Sequence, residues 1–233
     1  MKAQGPVGLL LALSGFGSAA TLVQTQNYAF VPNGSQTMSF NKFNPDFGTL
    51  NSVTVTVLLN KTGGRFEVDN DSESSGTITL THGVSGSLTA SGVVLLRDDF
   101  SSIGSTGTLN ATNALNDQNV SGTTGDATTT FNSTGLGDYV LFEPTSSSAT
   151  DTGSIGNLFI SSYLGTGTFT TTLNATQAVS AFGLGGLQQA FTVSNISGNV
   201  TVTYNYTPLV PVPEPESALL GCIGTLFLLR RRR

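Results

Sequence analysis

Between residues 49 and 59 the side chains alternate: Val53, Val55 and Val57 fall on one side, Thr54 and Thr56 on the other. A period of two is the mark of a strand with one dry and one wet face, whereas a helix repeats every 3.6 residues. The pattern returns twice. Ile78 and Leu80 stand opposite Thr77, Thr79 and Thr81, and Val200, Val202, Tyr204 and Tyr206 stand opposite Thr201, Thr203 and Thr207. Residues 88–97 end in the apolar run Val93-Val94-Leu95-Leu96, which predicts a strand buried on both faces. Residues 158–163 and 166–173 predict a further strand pair. Turn residues separate these runs, and long helical patterns are missing. The fold class that follows is all-β, an antiparallel β-sandwich. Residues 98–138 hold few large apolar side chains and predict a long loop excursion with one or two short strands. No internal repeat at a solenoid period is present.

Such a sandwich would stand on its core alone. The single cysteine, Cys222, lies outside residues 21–207, so no disulfide can staple that segment. Charge is sparse there: twelve acidic residues face four basic ones, Lys42, Lys61, Arg65 and Arg97. An acidic surface of this kind argues against nucleic acid, which needs clustered cations, and against charge-driven binding to anionic lipid.

The two chain ends have a different chemistry. Met1 and Lys2 give a positive start, residues 7–16 are apolar, and Ser18, Ala19 and Ala20 are small. That order predicts a signal peptide over residues 1–20, cut after Ala20 or alternatively after Ala19. At the other end Pro211, Pro213 and Pro215 fix φ and remove backbone donors, so residues 208–216 form an extended, Pro-rich linker. Ser217 is a candidate N-cap for an uncharged helix over residues 218–229, and Arg230, Arg231, Arg232 and Arg233 follow. Twelve helical residues span only about 18 Å, so this is a short membrane helix whose arginines snorkel and hold a cytoplasmic C-terminus. Residues 217–233 thus form a transmembrane helix with a cationic stop, and residues 21–207 form the exported domain.

Val212-Pro213-Glu214-Pro215, followed by an apolar helix and a terminal arginine cluster, resembles the PEP-CTERM sorting signal of Gram-negative bacteria. The resemblance implies an exosortase as processing partner and removal of the tail near Pro213, Glu214 and Pro215. A second resemblance covers both ends of the exported segment. Phe43-Asn44-Pro45-Asp46-Phe47-Gly48-Thr49-Leu50 with Val53 and Val55, and the closing stretch from Gly198 to Pro208, are similar to the choice-of-anchor E domain. Asn44 stands where that family usually has Asp, and Phe47 where it usually has Leu. The family carries no known activity and lends no binding residue. Read from its own residues, Asn44-Pro45-Asp46 breaks the chain and Gly48 permits the reversal that launches the next strand.

Few residues point to chemistry. His82 is the only histidine, placed at a strand end beside Gly83 on the side of Ile78 and Leu80. A single His without a spaced nucleophile, an acid or an exported Cys reads as a structural or surface group. Asp69-Asn70-Asp71-Ser72-Glu73 alternates oxygen ligands, and Asp69, Asp71 and Glu73 could wrap Ca²⁺. The stretch lacks the glycine and distal Glu of an EF-hand, so a solvated hairpin tip is the favoured reading. Asp98-Asp99 could supply half of a glycosidase pair, but no partner is evident. No phosphate-binding glycine loop occurs, and neither a cofactor nor a catalytic residue is implied. The expectation is a non-enzymatic surface or matrix protein with a structural or adhesive role in an exopolysaccharide biofilm. A carbohydrate-binding module with Tyr139, Phe142, Tyr163 or Phe169 as its aromatic platform is the alternative, and a glycan hydrolase ranks below it.

Overall fold

A computed structural model describes residues 19–122, 131, 137–144, 146–192 and 194–209. They form β1 (Ala20–Phe30), β2 (Gly34–Asn41), β3 (Gly48–Thr62), β4 (Arg65–Asn70), β5 (Gly76–Ser91), β6 (Asn110–Val120), β7 (Tyr139–Phe142), β8 (Ser146–Ser154), β9 (Thr168–Phe182), β10 (Leu187–Thr192) and β11 (Asn195–Pro208). Short 3-10 turns over Pro45–Phe47 and Ile160–Tyr163 are the only helical pieces among the described residues. The class is all-β, as expected. One four-stranded sheet runs β1-β11-β3-β8, a second β2-β9-β5-β6, and a three-stranded sheet runs β10-β4-β7. Every strand pairing is antiparallel.

The alternation at 49–59 works as sequence physics predicts. Val53, Val55, Val57 and Leu59 are fully buried on β3, while Thr54 and Thr56 face outward and are half-buried. On β11, Val200, Val202 and Tyr204 are buried beside them. These residues meet Met38 and Phe40 of β2, Val84 and Leu88 of β5 and Phe169 and Leu173 of β9 in one core. The two four-stranded sheets therefore face each other. A smaller core lies next to it, built from Phe66 and Val68 of β4, Ile78 and Leu80 of β5 and Val120 of β6. The 16-residue β5 runs under both cores. The Pro45 turn forms as read: Asn44 Oδ1 accepts from the Asp46 N–H at 3.1 Å. Gly48 then launches β3 at φ 147°, where a Cβ would lie 2.1 Å from the Thr207 carbonyl oxygen. Only glycine fits so close an approach.

Four expectations are corrected. Val93-Val94-Leu95-Leu96 is not a strand; beyond the isolated Leu96↔Ser102 bridge its backbone is satisfied by loops. Tyr163 Oη donates to the Val94 carbonyl at 2.9 Å, and Ile103 N donates to the Leu95 carbonyl at 3.0 Å. Val93 and Leu95 still plug the main core, which explains the run without a sheet. Residues 158–163 do not pair with a strand; they turn and enter the Ile160–Tyr163 3-10 helix, where Ser162 Oγ donates to the Phe159 carbonyl at 2.7 Å. The 98–138 excursion holds an 11-residue strand, β6, whose few apolar side chains hide it from periodicity. Residues 69–73 are not a hairpin tip, because β4 and β5 belong to different sheets, and Asp69 is buried.

Candidate functional site

β3 ends at Thr62 and the chain steps through Gly63 and Gly64 into β4, while β10 gives way to β11 beside it. The first and third sheets meet along this seam, and the two apolar cores meet beneath it. The inward face of β5 passes there from Leu80 to Val84, and the residue between them is His82. The inward face of β3 continues past Leu59 to Lys61. Both are fully buried. The seam therefore gathers a polar cluster between the two apolar cores.

Lys61 Nζ donates to Asn113 Oδ1 of β6 at 2.9 Å. Among the described residues the ion pairs are Arg65–Glu67 and Arg97–Asp151, so no carboxylate balances Lys61. Burial lowers its pKa, because a desolvated ammonium loses its hydration. His82 Nε2 lies 3.2 Å from the Thr192 carbonyl and 3.1 Å from Gln177 Nε2 of β9. Burial chiefly, and secondarily the Lys61 charge, lower the His82 pKa against the opposing Thr192 bond. Desolvation thus shifts both groups toward their neutral forms. His82 Nδ1, Gln177 Oε1 and Ser194 Oγ are buried without hydrogen-bond partners. Gly64, at φ 103°, makes room: a Cβ there would lie 2.1 Å from His82 Cε1 and 2.9 Å from Ser194 Oγ. An open cleft of about 330 Å³ lies alongside, lined by Phe30, Val31, Thr62, Asn195, Ile196 and Ser197.

The arrangement sets a buried amine against a side-chain amide. A serine–histidine relay needs an acid on the second ring nitrogen, and His82 Nδ1 has no partner. Lys61, Asn113, Gln177 and Ser194 were not singled out from sequence. One signal was available for Lys61: it keeps the parity of Val53, Val55, Val57 and Leu59, a lysine on a face read as dry.

The other sequence candidates scatter. His82 is buried and lies in mid-strand rather than at a strand end, since β5 runs on to Ser91. Asp69 is buried while Asp71 and Glu73 are exposed, so the three do not share a pocket. Asn70 instead ties that loop, donating to the Ser74 and Ser121 carbonyls at 2.9 Å each. No group of three His, Cys, Asp or Glu able to hold a metal occurs among the described residues. Asp98 accepts from the Asn157 N–H at 2.8 Å, and Asp99 accepts from Ser101 Oγ at 2.6 Å. The Ser101 hydroxyl is the main cause lowering the Asp99 pKa. These acids shape turns.

The expected aromatic platform is corrected: Tyr163 and Phe169 pack edge to face at 5.4 Å inside the core. Tyr139 and Phe142 are half-buried on β7, where Tyr139 Oη donates to Glu67. Ala19 precedes β1 and Ala20 opens it, paired with Tyr206. Val212, Pro213, Glu214, Pro215 and Arg230 to Arg233 lie outside the described residues. Among those described, no helix is long and apolar enough to cross a membrane.

No protein-family model and no curated protein matches the sequence. Among solved structures it is similar to the infectious bursal disease virus Gx strain, at 10% identity and TM-score 0.19, over 89% of this chain and 43% of that one. The VP2 subviral particle of the same virus follows at 9% identity and TM-score 0.18, over 89% and 43%. Empty-head turnip yellow mosaic virus matches at 10% identity and TM-score 0.14, over 91% and 94%. The chain spans about two fifths of the first two. Likenesses this distant carry no argument.

Proposed function

We propose that this chain is the precursor of an exported surface or matrix protein, delivered by an exosortase acting on its PEP-CTERM tail. The mature part is the all-β domain, and its role is structural or adhesive within an extracellular polysaccharide matrix. It performs no catalysis in this reading. The signal peptide over residues 1–20 and the transmembrane helix and arginines over 217–233 both belong to delivery. The observation that carries the proposal is the order of residues from Val212 to Arg233: a Pro-rich stretch, an uncharged apolar run, then four arginines.

The fold supports it in one respect. β1 opens at Ala20 and β11 closes at Pro208, and they are antiparallel neighbours with Ala20 opposite Tyr206. The first and last strand residues therefore lie at one pole of the domain. The carbohydrate-module reading loses support, since half of its platform is core.

Mass spectrometry of the mature protein from its own host tests the proposal. The expected C-terminus lies near Pro213–Pro215, with Arg230 to Arg233 gone. Replacing Pro213, Glu214 and Pro215 by alanine should leave folded, uncut precursor in the membrane fraction. An exported protein that still ends at Arg233 would overturn the sorting reading.

A further inference from the structure

We propose that Lys61 and Asn113 form an intramolecular isopeptide bond that staples the two facing sheets. Lys61 belongs to β3 of the first sheet and Asn113 to β6 of the second, 52 residues apart in sequence. The nitrogen stands 2.9 Å from the amide oxygen, with the amide carbon one bond further. A buried ammonium facing only a neutral amide is in a costly state, and no carboxylate among the described residues relieves it. Conversion to an amide removes the charge and keeps both side chains in place. Desolvation lowers the Lys61 pKa, which raises the share of neutral amine, the form that is nucleophilic.

The reaction balances without an oxidant. The Lys61 nitrogen bonds to Asn113 Cγ, the Cγ–Nδ2 bond breaks, and Nδ2 leaves as ammonia, carrying one proton surrendered by the amine. Asn113 Nδ2 donates to the Ser146 carbonyl at 3.1 Å on the solvent side, which gives the leaving group an exit. His82 stands directly opposite Asn113 in the β5–β6 ladder, so both side chains share one face. Its Nδ1 is unpartnered, leaving a buried neutral base to pass the proton. The staple would do for this cysteine-free domain what a disulfide does elsewhere, by closing a long loop of the unfolded chain.

Peptide mapping of the purified full-length protein decides the matter. Trypsin does not cut after an acylated lysine. The expected product is residues 43–65, uncut after Lys61, joined to the peptide that carries Asn113. The joined mass falls below the sum of the two by one ammonia. Lys61→Arg and Asn113→Ala should each yield separate linear peptides and a slower-migrating band on denaturing gels. A natively folded wild-type protein that is cut after Lys61, with Asn113 in a free peptide of unaltered mass, overturns the proposal. That result needs no variant, so a variant that misfolds leaves the test intact.

Discussion

Asp151 on β8 offers the sharpest test of how the long β5–β6 connection is held. Its Oδ1 accepts from Arg97 Nη2 at 2.5 Å, and its Oδ2 accepts from the Gly104 N–H at 2.7 Å and from Thr108 Oγ1 at 3.1 Å. All three donors lie between β5 and β6, so one carboxylate clamps that excursion to the edge of the first sheet. Asp151→Ala leaves the buried Gly104 N–H without an acceptor, a loss of about 1–3 kcal/mol. It also strips the partner from Arg97, whose side chain is 24% exposed and so recovers part of its hydration. Removing one member of a fully buried pair costs about 3–5 kcal/mol, and the exposure of Arg97 brings its share down to about 2 kcal/mol. Together about 3–5 kcal/mol is expected. For a domain of this size that corresponds to roughly 6–20 °C in Tm. Thermal unfolding followed by circular dichroism gives the shift, and hydrogen exchange should quicken across residues 97–108. Removing both charges, as Arg97→Met with Asp151→Ala, should recover part of the loss, because no unpaired charge remains. The reasoning is refuted if Asp151→Ala stays within about 1 kcal/mol of wild type with unchanged exchange; Val93, Leu95 and Ile103 would then hold the loop by packing alone.

Leu59→Ala, in the main core, should cost about 2–5 kcal/mol in urea unfolding, whereas the outward, half-buried Leu58→Ala should cost clearly less. Equal losses would contradict the assigned strand faces. Calcium and chelator should give the same Tm, because buried Asp69 and exposed Asp71 and Glu73 do not converge, and a rise on adding Ca²⁺ would restore the metal site. Burial holds Tyr28, Tyr163 and Tyr204 protonated above the ordinary tyrosine range. The folded state keeps protons that the unfolded chain sheds, so stability is complete below about pH 10 and falls above it, by up to about 4 kcal/mol per pH unit for three groups. Phenolate absorbance should show those three titrating only as the fold is lost, and early ionisation of all five tyrosines would refute this.

What the sequence determined by itself was the direction of side chains along each strand. A strand between core and solvent must alternate, so Val53, Val55, Val57, Val200 and Val202 declare their face without knowledge of any partner. The Asn44-Pro45 turn and Gly48 were equally local, since proline and glycine act through their own φ. The order of Pro-rich stretch, apolar run and arginines is likewise local to the sequence, and the sorting proposal rests on it. Partners were decided by the tertiary structure. Val93 to Leu96 carry enough apolar surface for a strand, yet the residues around them supply loop hydrogen bonds in place of a ladder. Tyr163 and Phe169 have the composition of a binding platform and the position of a core. Lys61 lay on a face already marked dry, but its meaning depends on Asn113 in the opposite sheet, and on His82 across the ladder from it. Periodicity reports which way a residue points, while chemistry depends on what waits there, and in a fold built from distant strand pairings that neighbour is rarely nearby in the chain.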